Sequence, residues 1–155
     1  MQNFMKKLFL LLFVVMVYYA DTANAQIYNT SAGLSVEMGT GSTLVGPAIN
    51  HFFDQHSSAQ GELLFGGGST FISAFYHYND AVQNAKGLDW FVGAGPALGF
   101  GNGSTSFYLR PAAGLDYKID TTPLDLSFDW RPTFYVGSGS TFTAARFGLG
   151  LRFCF

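Results

Sequence analysis

From residue 145 to residue 155 the chain reads A-R-F-G-L-G-L-R-F-C-F, with an apolar side chain at every second position. Ala145, Phe147, Leu149, Leu151, Phe153 and Phe155 share one parity, and Arg146, Gly148, Gly150, Arg152 and Cys154 share the other. Successive side chains of a β-strand leave opposite faces, so a period of two describes a strand with a different medium on each side. Carried back over 142–155, the same alternation puts Thr143 with the apolar set and Phe142 with the arginines. That length exceeds the ~5–6 residues of an ordinary strand. It suits a tilted membrane-crossing strand of roughly 9–11 residues plus flanks.

Upstream, similar segments occupy 28–38, 43–53, 60–66, 71–79, 88–100, 106–119 and 124–136, separated by turns at 39–42, 54–59, 66–70, 80–87, 101–105, 120–123 and 137–141. Pro47 cannot donate to a ladder and predicts a bulge or local irregularity in the second strand. Strands joined in sequence by short turns make a meander. The fold class expected is all-β, an eight-stranded antiparallel up-and-down transmembrane β-barrel, eight being the smallest closed size.

The N-terminus reads as an export signal. Lys6-Lys7 precedes the apolar run 8–20, and Ala23-Asn24-Ala25 supplies an A-x-A site. Residues 1–25 are therefore expected to be cleaved, leaving 26–155 as the barrel. An uncleaved helical anchor would need about 20 apolar residues, more than this run supplies. Charged residues are 12% of the chain and aromatics 17%, against about 25% charged in soluble domains. After the signal no stretch is apolar and long enough for a spanning helix, and an exported chain of membrane-like composition then has the closed barrel left to it. Nucleic acid is not an expected partner, because no basic patch stands out. The single Cys154 cannot form an internal disulfide.

Alternation alone does not say which face meets lipid. A soluble barrel would carry Lys and Glu on its polar face. Here that face holds Gly93, Gly95, Ala97, Gly99, Ala112, Gly114, Gly148 and Gly150, together with Arg110, Arg131, Arg146 and Arg152. Small residues leave room for arginines in a narrow lumen, whereas an arginine facing lipid at mid-depth costs roughly 2–4 kcal/mol. The small-residue face is the inside. Pairing the last two strands across Gly139 sets Asp125 opposite Arg152 and Arg131 opposite Arg146. Pairing the sixth and seventh across Thr121 sets Arg110 opposite Arg131. Buried like charges need partners, so Glu37, Glu62 and Asp129 are expected to reach across to them. The candidate lumen cluster is Glu37, Glu62, Arg110, Asp125, Asp129, Arg131, Arg146 and Arg152. It is either a structural plug of ion pairs or the constriction of a narrow pore, and the small bore of eight strands favours the plug.

The stretches G-L-D-W-F-V-G-A-G-P-A-L-G-F (87–100), R-P-A-A-G-L-D-Y (110–117), P-L-D-L-S-F-D-W-R-P (123–132) and G-L-G-L-R-F-C-F (148–155) resemble the outer-membrane β-barrel domain family common in Bacteroidetes-type bacteria. These are small barrels of the OmpA/OmpX shape, and the likeness is better in the second half of the chain. The resemblance implies residence in the bacterial outer membrane. It also implies that Leu151, Phe153 and Phe155 form the terminal signal read by periplasmic chaperones and the barrel-assembly machinery. It carries over no catalytic residue.

Three roles follow for such a chain: a structural or interaction protein embedded in outer-membrane lipid, a narrow pore, or a lipid-modifying barrel enzyme. The enzyme would need a serine beside a histidine, and the nearest match, His77-Tyr78-Asn79, has none at the required place. His51 and His56 sit at or beside a turn without metal-site spacing. The expectation is a non-enzymatic, monomeric barrel with no cofactor and no metal.

Overall fold

A computed structural model of the chain describes residues 29–155, so the expected signal segment 1–25 lies outside the described residues. The strands are β1 (Thr30–Gly39), β2 (Ser42–Phe52), β3 (Ser57–Gly66), β4 (Ser69–Ala81), β5 (Leu88–Gly101), β6 (Ser104–Lys118), β7 (Leu124–Trp130), β8 (Thr133–Val136), β9 (Phe142–Thr143) and β10 (Arg146–Cys154). β7 and β8 are one passage interrupted at Arg131-Pro132, and β9 and β10 another interrupted at Ala144-Ala145. The wall thus has eight passages, each antiparallel to the next, and β1 closes on β10. The register runs from Phe53 through Ser57, Tyr78, Val92, Ala113, Trp130, Phe147 and Met38 to Thr43, ten residues along the passage from where it began. That stagger over eight strands corresponds to a tilt of about 40°.

Burial is inverted relative to a water-soluble domain. Ile72, Val92, Leu115, Phe128, Trp130 and Leu149 point outward and are 42–49% exposed. Glu37, Arg110, Asp125 and Arg131 point inward and are at most 2% exposed. A continuous apolar belt of this kind has no counterpart on a soluble monomer. At the end that holds the chain termini, Tyr78, Trp90 and Tyr117 face outward, the first two with ring centroids 5.8 Å apart. Their amphipathic rings suit the boundary between hydrocarbon and headgroups.

At the opposite end the connections are minimal. Gly67-Gly68 and Asn102-Gly103 both have two positive φ angles, the geometry of a two-residue hairpin that follows the right-handed strand twist. Thr40-Gly41 is equally short, and only 137–141 is longer. At the terminus end Asp54 accepts from His56 N–H (2.7 Å) and Ser57 N–H (2.8 Å). Those bonds hold its carboxyl below the usual range, so the turn's support is present above that range and fades as pH falls through the lowered value.

The structure departs from the sequence expectations in four places. β3 starts at Ser57, inside the expected turn 54–59, because the lumen is polar there: Asn79 Nδ2 donates to Ser58 Oγ (2.9 Å). Pro47 introduces no bulge, since Val45–Phe65 and Ala48–Glu62 keep one register on either side of it. The sixth and seventh passages pair two residues away from the expected register. Ile119 bonds Leu124 across Pro123, which has no N–H to give, and the neighbours of Arg110 become Gly95 and, with Leu109–Phe134 the next rung, Thr133. Finally, the last passage carries one extra residue at Ala144-Ala145, so parity reverses above it. Phe142 faces outward at 52% exposure and Thr143 turns away from the apolar belt.

Leu149 lies near mid-wall on the outer face. Leu149→Arg is expected to destabilise the protein refolded in phospholipid vesicles by about 2–4 kcal/mol, measured by urea titration of tryptophan fluorescence.

Candidate functional site

The interior is filled by a connected set of charged side chains from five of the eight passages. Arg131, at the interruption between β7 and β8, is held by three carboxylates. Its Nε and Nη2 donate to Asp129 Oδ2 and Oδ1, both at 2.5 Å, and its Nη1 to Glu62 Oε2 at 2.6 Å. Glu37 Oε2 stands 3.7 Å from Nη1. Glu37, on β1, also takes Arg110 Nη2 on Oε2 (2.5 Å) and Arg146 Nε on Oε1 (2.5 Å). Arg110 is completed by Ser73 Oγ (3.0 Å) and Thr133 Oγ1 (3.3 Å). Three guanidiniums and the carboxylates of Glu37, Glu62 and Asp129 therefore balance in formal charge.

A second group lies nearer the termini. Arg152 Nη2 donates to Asp116 Oδ2 (2.6 Å) and Asp125 Oδ1 (3.2 Å), and Nη1 donates to Gln60 Oε1 (2.8 Å). The Gln60 amide then gives Nε2 to Glu62 Oε1 at 2.7 Å, joining the two groups. Ser35 Oγ also donates to Glu62 Oε1 (3.0 Å). Around the charges sit apolar rings. Phe75 lies between Arg110 and Arg131, 5.6 and 5.4 Å from its centroid. His77 packs against Phe91 (4.6 Å) and Phe75 (5.7 Å), and its Nε2 is buried without a partner.

Both mouths are narrowed. On the hairpin side Leu44 and Leu64 are fully buried, and Phe71, Tyr108 and Tyr135 stand ring to ring at 5.5 and 5.6 Å. On the terminus side Lys118 Nζ lies 4.4 Å over the Phe52 ring. The glycines of the inner face make room for this packing: a Cβ on Gly148 would overlap the guanidinium of Arg131.

All eight residues of the candidate cluster lie on the inner face. Asp125 faces Arg152 in the β7–β10 register, and Arg131 N–H bonds Arg146 O. Asp129 does not reach across the lumen; it grips Arg131 two residues along the same passage. Asp116, Gln60, Ser35 and Ser73 belong to the network without having been singled out by sequence. Parity alone places Asp116 on the small-residue face, but its partner arrives from a different passage. Leu151 and Phe155 face outward, with Phe153 half-buried on the same side. Among the described residues no group of His, Cys, Asp and Glu has the geometry of a metal site. Ser58 pairs with His77 in the β3–β4 ladder, yet its hydroxyl bonds Asn79.

Solved structures share this architecture. The N-terminal β-barrel domain of Pseudomonas aeruginosa OprF superposes with a TM-score of 0.63 at 17% identity, covering 84% of this chain and 100% of that one. A structure described under de novo design of transmembrane beta-barrels gives 0.62 at 13% identity, covering 84% and 98%. The fold is that of a small transmembrane β-barrel of outer-membrane type. No family model matches the chain, and no curated protein does. At these identities the likeness extends to the fold alone.

Removing one partner of a buried ion pair costs about 3–5 kcal/mol, because a charge is left without its counter-charge. Glu37→Ala, which strips the shared carboxylate from Arg110 and Arg146, is expected to lose that much in urea unfolding from vesicles. Gln60→Ala, which removes only neutral hydrogen-bonding atoms, is expected to lose less.

Proposed function

We propose that this chain is an integral outer-membrane protein with a structural or interaction role, its lumen closed by ion pairs rather than kept as a conduit. On this reading residues 1–25 direct export and are removed after Ala25, and 26–155 form the barrel. The chain then belongs with the Bacteroidetes-type barrels that its second half resembles. Leu151, Phe153 and Phe155 present the terminal signal to chaperones and the assembly machinery, and the mature protein stands as a monomer in lipid.

The observation that carries the reading is the linked network from Arg152 through Gln60 and Glu62 to Arg131, Glu37 and Arg110. Buried guanidiniums with paired carboxylates fill the cross-section that a solute would need, and eight strands enclose little beyond their own side chains. The short hairpins support a role that does not depend on long external loops. A catalytic role has less support: His77 Nε2 is buried without a hydrogen-bond partner, the Ser58 hydroxyl opposite it is taken by Asn79, and Phe75 and Phe91 pack against the imidazole.

Refolded protein is expected to migrate differently on a detergent gel before and after boiling, as a closed barrel does, and to give no steady unitary steps in a planar bilayer. Regular conductance steps from the unmodified protein would replace the plug with the pore. Incubation with phospholipid or lipopolysaccharide, followed by mass spectrometry of the lipids, is expected to return them unchanged.

A further inference from the structure

The hairpin end of the barrel carries no formal charge. Residues 38–46, 64–72, 97–109 and 133–145, which make up that end of the wall and its four connections, contain no Asp, Glu, Lys, Arg or His. The terminus end, by contrast, holds Asp54, His56, Asp80, Lys86, Lys118 and Asp120. Hydroxyls stand where charge is missing. Ser42, Ser69, Ser104 and Ser106 share the inner-face parity, with bare Gly66, Gly99 and Gly101 among them.

Inside this rim three aromatic rings form one wall. Phe71 on β4, Tyr108 on β6 and Tyr135 on β8 point inward, half-buried, each two residues above a buried Ser73, Arg110 or Thr133. Ring centroids are 5.5 Å apart for Phe71 and Tyr108 and 5.6 Å for Tyr108 and Tyr135, with planes tilted by 41° and 57°. A Cβ on Gly99 would meet Tyr108 at 2.9 Å and Phe71 at 3.0 Å, and one on Gly137 would meet the Tyr135 hydroxyl at 2.5 Å. The rings therefore lie along the wall and line the mouth instead of crossing it.

Opposite them the rim is low. β1 makes its last rung at Gly39–Arg146, whereas the last passage runs on to Phe142, paired with Phe134. β2 and β6 lie on opposite sides of the eight-passage wall, so Tyr108 faces the Thr40-Gly41 hairpin across the mouth. Below lie Leu44, Leu64 and the Glu37 cluster, where the guanidiniums of Arg110 and Arg146 already hold their carboxylate. The result is a cup with an aromatic wall, hydroxyl edges, one open side and a closed floor.

We propose that this cup binds the uncharged terminal hexose of a glycan. The face of an aromatic ring is its electronegative side, and the C–H groups of a pyranose offer it an electropositive surface to stack on. Serine and tyrosine hydroxyls both donate and accept, as sugar hydroxyls require. A phosphorylated or acidic sugar would call for Arg or Lys, and the rim holds neither. The bore of eight strands has width for one such ring at its mouth. The site rests on the outer-membrane reading above, in which the termini stay in the periplasm and the cup opens outward, and it gives that interaction role a partner.

The test uses the refolded chain in phosphocholine micelles, which bring no sugar of their own, and saturation-transfer NMR. Maltotriose, cellotriose, mannotriose and laminaritriose are the neutral probes, and trigalacturonic acid is the acidic one. At least one neutral trisaccharide is expected to take saturation, strongest on the C–H protons of one terminal ring, and trigalacturonic acid none. Tyr108→Ala removes the middle ring and is expected to weaken that binding about tenfold. Ser42→Trp fills the cup from the opposite wall with the three rings in place and is expected to abolish it. Silence from all four neutral probes overturns the site. So does equal binding of trigalacturonic acid, or undiminished binding by either variant that keeps heat-modifiable mobility. An unmodified chain without heat-modifiable mobility overturns the embedded barrel itself, a failure distinct from that of a folded barrel that takes no sugar.

Discussion

The sharing of Glu37 among three arginines is the contact on which the interior depends. Arg110, Arg131 and Arg146 approach it from different passages of the wall, and without it two of them face the lumen with no other carboxylate in contact. In a soluble protein a stranded guanidinium can swing to water. Inside a barrel jacketed by hydrocarbon it has nowhere to go, so every charge must find its counterpart within the lumen. Glu62 and Asp129 complete the set around Arg131, and the Gln60 amide relays it to Arg152. The result is a core held by directional bonds where a soluble fold would have apolar packing.

The arrangement also fixes where small residues must be. Gly148 lies flat under Arg131, and Gly150 makes room for the hydroxyl of Ser127. A lumen this narrow admits long charged side chains only where its opposite wall is bare. Glycine on the inner face and bulk on the outer face are thus two sides of one constraint. It explains why the alternation in the sequence separates small and charged residues from large apolar ones, rather than simply polar from apolar.

Much of this was legible beforehand because the period of two survives wherever the ladder is regular. The closing of Arg152 on Asp125 follows from matching the polar faces of the last two passages, and it holds because no proline or extra residue intervenes between that rung and Arg131 and Arg146. The pairing of Arg110 is not legible in the same way, because it depends on where the 120–123 turn closes, and Pro123 moves that point. The outward face of Phe142 is hidden from the alternation, because one added residue at Ala144-Ala145 reverses parity and leaves no mark in the residue types. Asp116 and Gln60 show a different limit. Parity puts them inside, but which arginine they meet is set by the stagger of the whole barrel, a property of all eight registers at once.

The dipeptide connections have a consequence for how the molecule meets its surroundings. Opposite the termini, Thr40-Gly41, Gly67-Gly68 and Asn102-Gly103 offer no slack chain, and 137–141 is the sole flexible-looking stretch by composition. Proteases cut, and insertions are tolerated, at loose tips that can be drawn out from the body. A barrel finished with such tight bends presents almost nothing to be nicked, gripped or varied on that side, and any foreign peptide grafted onto it belongs between Gly137 and Thr141.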